Sequence, residues 1–247
     1  MKRRDVLIAA LGLAVLWQIA ALLLNRSILP TPMLVAQAFF SELTSGLLAE
    51  HTLASLWRVV VGTLLSVLAA VPAGLAIGGS VRLNRILSPV IYLLYPIPKV
   101  VFVPVILLFL GIGDAAKITI IFLILFFQII VLVRDQAAAL PPQLFQSLRS
   151  LGAGRRALFR FVYLPASLPA ILTALRQSVG TAVAVLYIAE LFATQRGLGY
   201  YIYYNGSTLL NYPAMYAGVI AMSLLGLGLY FTVDWLERIL CPWKFVS

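Results

Sequence analysis

The chain has 247 residues, of which 62% are apolar and only 11% charged, and its mean hydropathy is +1.03. Water-soluble domains carry roughly 25% charged residues, so these proportions exclude a soluble globular protein and make lipid the solvent for most of the chain. One cysteine and one histidine exclude an intrachain disulfide and a His/Cys metal cluster, and none of Lys2, Lys99, Lys117 or Lys244 follows the glycine that a Walker A loop requires.

Six apolar stretches have the length that a bilayer core of roughly 30 Å demands of a helix, about 20 residues. They are 6–24, 56–78, 89–110, 118–133, 168–191 and 214–233. The first follows Met1-Lys-Arg-Arg, a start shared with signal peptides. It is long for such a segment, however, and no clear small-x-small cleavage site follows it. With the N-terminus inside, Lys2, Arg3, Arg4, Arg82, Arg85, Arg134, Arg149, Arg155, Arg156, Arg160, Arg238 and Lys244 fall in cytoplasmic segments. The outer segments and outer helix ends hold Arg26, Arg58, Lys117 and Arg196. Twelve against four is the positive-inside bias. It predicts a multi-pass protein of the bacterial inner membrane with both termini cytoplasmic, and it accounts for the +10 net charge without nucleic acid.

After the first stretch, Leu29-Pro-Thr-Pro32 is a rigid break, and 35–48 reads as a short interfacial helix ending near Gly46. In the second span Gly62, Ser66, Ala70, Gly74 and Gly78 recur every four residues. Such a stripe lets helix backbones approach closely, inside one bundle or at a subunit interface. The third span contains Pro96, Pro98 and Pro104, each removing a backbone donor at membrane depth. Lys99 lies among them, either as a cation of the transport path or as a partner of the carbonyls that proline frees. Gln128, in the fourth span, bonds a neighbouring helix or contacts a solute.

The segment between the fourth and fifth spans, about 135–165, has its own pattern. Pro141 and Pro142 open a short helix whose apolar side is Leu144, Leu148 and Leu151. Gly152-Ala153-Gly154 stops it. A second short helix carries Leu158, Phe161 and Val162 on one side and Arg156 and Arg160 on the other, and Leu164-Pro165 ends it. This pair is too apolar to float free. It docks on a partner, or it rests on the anionic inner leaflet through Arg155, Arg156 and Arg160.

That segment resembles the coupling loop of binding-protein-dependent ATP-binding-cassette importer permeases, in which Glu-Ala-Ala, three residues, Gly and a spaced Leu-Pro contact the ATPase. Here Gln146-Ser147-Leu148 occupies the Glu-Ala-Ala positions, so Gln stands where the family has Glu; Gly152, Leu164 and Pro165 keep their places. Leu29-Pro-Thr-Pro32, Ser55-Leu-Trp-Arg58, Ser88-Pro89, Pro96-Ile-Pro98, Pro104 and Gly111-Ile-Gly113 precede the loop. Leu168-Pro169, Leu175-Arg-Gln177, Glu190 and Arg196-Gly-Leu-Gly199 follow it, and the set is similar to the sulfonate, taurine, nitrate and bicarbonate branch. The resemblance implies an all-α type I importer permease of about six transmembrane helices, a single domain over 1–247. It implies a second permease copy, two ATPase subunits holding ATP and Mg, an extracytoplasmic solute-binding protein, and no cofactor in this chain. The implied ATPase-coupling residues are Gln146, Ser147, Leu148, Leu151, Gly152, Ala153, Arg155, Arg156, Leu164 and Pro165.

Candidate path residues are Lys99, Gln128, Arg176 and Glu190. Arg176 lies about eleven residues past Pro165, roughly 16 Å into the membrane. A charge at that depth needs a partner or a wet cavity. Together Lys99 and Arg176 would make a positive vestibule suited to an organic or inorganic anion, while Glu190 would cap a gate or pair with Arg58 or Arg196. Two other classes compete. A secondary transporter would spread acidic and polar residues over several broken helices and need no docking knob. A membrane enzyme needs a nucleophile–base or metal cluster that this sequence lacks.

Overall fold

The computed structural model describes residues 3–150, 152–192 and 194–244, and among them every regular element is helical. Eleven α-helices follow in order: α1 Arg3–Leu24, α2 Pro32–Thr44, α3 Leu47–Gly78, α4 Val81–Leu94, α5 Val103–Leu110, α6 Asp114–Ala138, α7 Pro142–Arg149, α8 Arg155–Leu158, α9 Leu164–Leu191, α10 Leu198–Tyr203 and α11 Tyr212–Leu240. Four continuous helices among the described residues are long and apolar enough to cross a bilayer: α3, α6, the stretch Arg156–Leu191 and α11. The pair α4 and α5 makes a fifth if counted as one broken span, and the apolar part of α1, Ile8–Leu24, is shorter.

Three expectations change. The short helix after the first stretch begins at Pro32, because the Thr31 hydroxyl accepts from the Leu34 amide and Pro32 sits where no amide donor is needed. It stops before Gly46, which adopts φ +85°, so Leu47 and Leu48 open α3 instead. The third span is not one helix. The axis turns by 74° between α4 and the 3-10 turn that leads into α5, since Pro96 and Pro98 cannot donate to the preceding turn. Finally, Leu164-Pro165 does not end a helix. Phe159–Tyr163 widens into a π turn, and Pro165 falls in the first turn of α9, so the chain stays helical from Arg156 to Leu191.

The chain divides into two compact units. One comprises 1–56 and 190–225, the other 57–189 and 226–247. In the first, the Trp17 indole donates to the Pro30 carbonyl at 3.1 Å and its ring lies 5.8 Å from Tyr216, which fixes the return from α1 to α2. In the second, the small stripe of α3 lies against α6. A Cβ at Gly62 would stand 2.7 Å from Ile121, one at Gly74 2.9 Å from Val133, and one at Gly78 would strike the Arg134 carbonyl. Ser66 donates to the carbonyls of both Gly62 (2.7 Å) and Phe122 (3.1 Å). The stripe therefore serves packing within this chain, the close backbone approach that small residues permit in lipid.

Candidate functional site

The segment after α6 forms the helix–glycine–helix knob that its pattern predicts. Pro141 is extended and Pro142 opens α7. The helix closes with the Ala153 amide bonded to the Leu148 carbonyl (3.1 Å) and the Gly152 amide to the Arg149 carbonyl (3.0 Å), with Gly152 at φ +79°. That is a Schellman termination, which needs a left-handed residue where glycine stands. Leu151 lies outside the described residues. Gln146, Ser147 and Arg156 are exposed, whereas Leu148 and Ala153 are half-buried. Phe145 packs on Tyr163 at 4.7 Å, and the Tyr163 hydroxyl donates to the Gly79 carbonyl at 3.1 Å, tying the knob to the end of α3.

The knob's outer face is apolar. A cleft of about 420 Å³ runs between Leu144 and Leu148 of α7 and Phe161 and Pro165 beyond the glycine turn, with Trp243 beside it. Phe161 is 62% exposed and Trp243 53%. Burying such rings on a partner surface supplies the apolar area on which interfaces are built.

The candidate path residues divide by what holds them. Lys99 donates to the Leu94 carbonyl at 2.7 Å and to that of Tyr95, with the Phe127 ring 4.6 Å away. In a regular helix the Leu94 carbonyl would accept from residue 98, which is proline, so Lys99 fills the donor position that Pro98 vacates. Arg176 pairs with Asp234 at 2.7 Å and Glu237 at 3.1 Å, both on α11. The Thr173 hydroxyl donates to Glu237 at 3.2 Å, and the Lys244 ammonium bonds both Glu237 and Thr173. Lys99 is thus held by main-chain carbonyls and Arg176 by carboxylates. Gln128 is half-buried on α6.

Glu190 is fully buried. The Ser55 hydroxyl lies 2.9 and 2.8 Å from its two oxygens, and the Gly199 amide donates at 2.9 Å. Ser55 Oγ in turn accepts from the Leu198 amide at 2.8 Å, while His51 Nδ1 accepts from the Gly197 amide at 3.0 Å. One carboxylate thus pins the turn 197–199 to the beginning of α3. Arg58 pairs with Asp114 at 2.8 Å and Arg196 with Glu50 at 2.9 Å. Sequence reasoning singled out Glu190 but not Ser55 or His51, although Ser55-Leu-Trp-Arg58 and Arg196-Gly-Leu-Gly199 both belong to the motif set.

Long apolar helices, a paired Arg176 within one of them and an exposed apolar knob define a multi-pass membrane protein. The taurine transport system permease protein TauC of Escherichia coli is 32% identical over 240 residues, covering 95% of this chain and 87% of that protein. A putative aliphatic sulfonates transport permease protein, SsuC of Bacillus subtilis, is 29% identical and covers 98% and 87%. The formylaminopyrimidine transport permease protein ThiX of Halalkalibacterium halodurans is 28% identical and covers 95% and 93%. Among solved structures, the inward-facing MetNI methionine ABC transporter matches with a TM-score of 0.69 at 21% identity over 78% of this chain and 95% of that one. A bacterial ABC transporter involved in the import of alginate matches with a TM-score of 0.61 at 17% identity over 97% of each chain. The chain belongs to the family of binding-protein-dependent transport system inner membrane components, whose model matches residues 62–245. It is the permease subunit of an ATP-binding-cassette importer.

Proposed function

We propose that two copies of this permease form the path and that the knob around Gly152 receives an ATPase subunit on its apolar cleft. The observation that carries this reading is the knob itself: a rigid Schellman turn presenting Leu144, Phe161 and Trp243 to the surroundings. In this reading ATP and Mg are held by the ATPase alone, which fits a chain with neither a Walker A lysine nor a His/Cys cluster. An extracytoplasmic binding protein delivers the solute, and both termini lie in the cytoplasm, as the basic residues sort. Closure of the ATPase pair moves the knobs and biases a two-state bundle toward its outward-open arrangement. Relatives named for taurine, aliphatic sulfonates and formylaminopyrimidine support a small water-soluble organic solute.

The test is co-purification. The intact chain, extracted from membranes that co-express its ATPase, brings that ATPase with it. Phe161→Glu together with Leu144→Glu leaves the chain inserted and strips the ATPase away. Retention of the ATPase by this double variant sinks the docking assignment, and solute uptake without any ATPase sinks the ATP-driven reading in favour of a secondary transporter.

A further inference from the structure

The inner half of α9 presents an unusual face for a helix in lipid. Ala166, Ala170, Thr173 and Gln177 lie at i, i+4, i+7 and i+11, one side of the helix. Gln177 is exposed and stands thirteen residues into the 28-residue helix, about 20 Å from its start and so near its middle. A glutamine amide brings two donors and an acceptor, and hydrocarbon satisfies none of them. This face therefore meets water or a polar partner.

It also borders a cleft of about 410 Å³, whose other wall is Leu132 and Gln136 of α6 with Lys244 at one end. Gln128, Leu132 and Gln136 are spaced by four and share a side of α6, and of these Leu132 and Gln136 line the cleft. The charges beside the cleft are engaged with one another: Arg176 with Asp234 and Glu237, Arg238 with Asp234 at 3.1 Å, and Lys244 with Glu237. Lys244 has three N–H donors; Glu237 and Thr173 accept from this ammonium.

We propose that this cleft is the inner segment of the translocation path, and that Gln136, Thr173 and Gln177 contact the passing solute through hydrogen bonds. The solute class it fits is a small, water-soluble molecule carrying both donors and acceptors. Arg176, paired with Asp234 and Glu237, fixes α9 to α11. The inference rests on the importer reading and adds to it which side chains face the path.

The test uses thiol chemistry on the chain assembled with its ATPase in inside-out membrane vesicles. The wild-type chain is the control, because its single cysteine, Cys241, is fully buried. Burial and the Glu237 carboxylate push that thiol above its ordinary pKa range, against the smaller effect of Lys244, so it reacts slowly. Gln177→Cys and Gln136→Cys are treated with a charged, membrane-impermeant methanethiosulfonate, and Leu16→Cys, on the exposed apolar face of α1, reports a lipid-facing thiol. The expected result is that both glutamine sites react at least about tenfold faster than Leu16→Cys, since a thiolate forms only where water solvates it. Two path sites guard against one variant failing to insert. Slow reaction at both in complexes that retain the ATPase overturns the path assignment. So does spontaneous disulfide cross-linking of two Gln177→Cys chains with no reaction toward the reagent, which would make this face a contact between copies. Failure to bind any ATPase overturns the importer assembly instead, and the path assignment with it.

Discussion

Glu190 and Glu237 are both fully buried carboxylates on membrane-spanning helices, yet they are held in different ways. Glu190 takes bonds from a neighbouring hydroxyl and a main-chain amide, so one side chain dictates the shape of the turn 197–199. Glu237 belongs to a mesh of side chains in which Arg176, Lys244 and Thr173 all converge on it and Asp234 shares the arginine. The contrast separates a carboxylate that fixes backbone geometry from one that several side chains share. The first has no substitute, whereas the members of the second can replace one another in part.

The largest effect is expected at the first cluster. Glu190→Ala strands the Ser55 hydroxyl and the Gly199 amide in the interior and should cost about 3–5 kcal/mol, the range for breaking a buried charged contact. Thermal unfolding of the detergent-purified chain measures it. Glu190→Gln should recover only part of the loss, because an amide nitrogen facing the Gly199 amide sets donor against donor. Full recovery would erase the distinction drawn between the clusters.

The second cluster should tolerate paired change. Arg176→Met alone leaves Asp234 and Glu237 without their shared cation and should cost about 2–3 kcal/mol. Adding Glu237→Gln should restore roughly half of it, since coupled sites are not additive. An additive double variant in the same unfolding assay would show that the mesh is not one unit.

Away from both clusters, Gly152→Val forces a β-branched residue into φ +79° and should cost about 1–3 kcal/mol locally. The midpoint for the whole chain should barely move, while ATP hydrolysis by the assembled complex loses its coupling to uptake. Unchanged coupling would remove the knob from the mechanism. Smallest is Thr31→Ala. The bond it removes is long, 3.5 Å, so a loss of about 0.5 kcal/mol is expected at the start of α2, read by local hydrogen exchange.

These clusters also mark the limit of what the sequence discloses. The stop at Gly46, the packing stripe from Gly62 to Gly78 and the helix–glycine–helix knob all follow from local spacing, and all three are present in the structure. So does a break near Pro96 and Pro98, although its 74° angle does not. Continuation through Pro165 escapes a local reading, because proline as a breaker and proline in a first helical turn look identical until the π turn before it is known. The partners of Glu190 and Arg176 are hidden for another reason. Ser55 lies 135 residues from Glu190 and Asp234 lies 58 residues from Arg176, and spacing carries no information over such separations.

The unbroken passage from the knob into α9 has a mechanical meaning. A helix from Arg156 to Leu191 spans 36 residues, about 54 Å at 1.5 Å each. In the proposed reading, with no loop between knob and span to absorb strain, an ATPase pushing at one end would work a lever arm whose far end tilts or rotates. The π turn at Phe159–Tyr163 sits at its root, where one extra residue per turn alters the angular phase between the proposed docking surface and the proposed path face. Deleting a single residue there should leave both surfaces intact but turn them about 100° out of step, like a crank keyed to the wrong slot on its shaft.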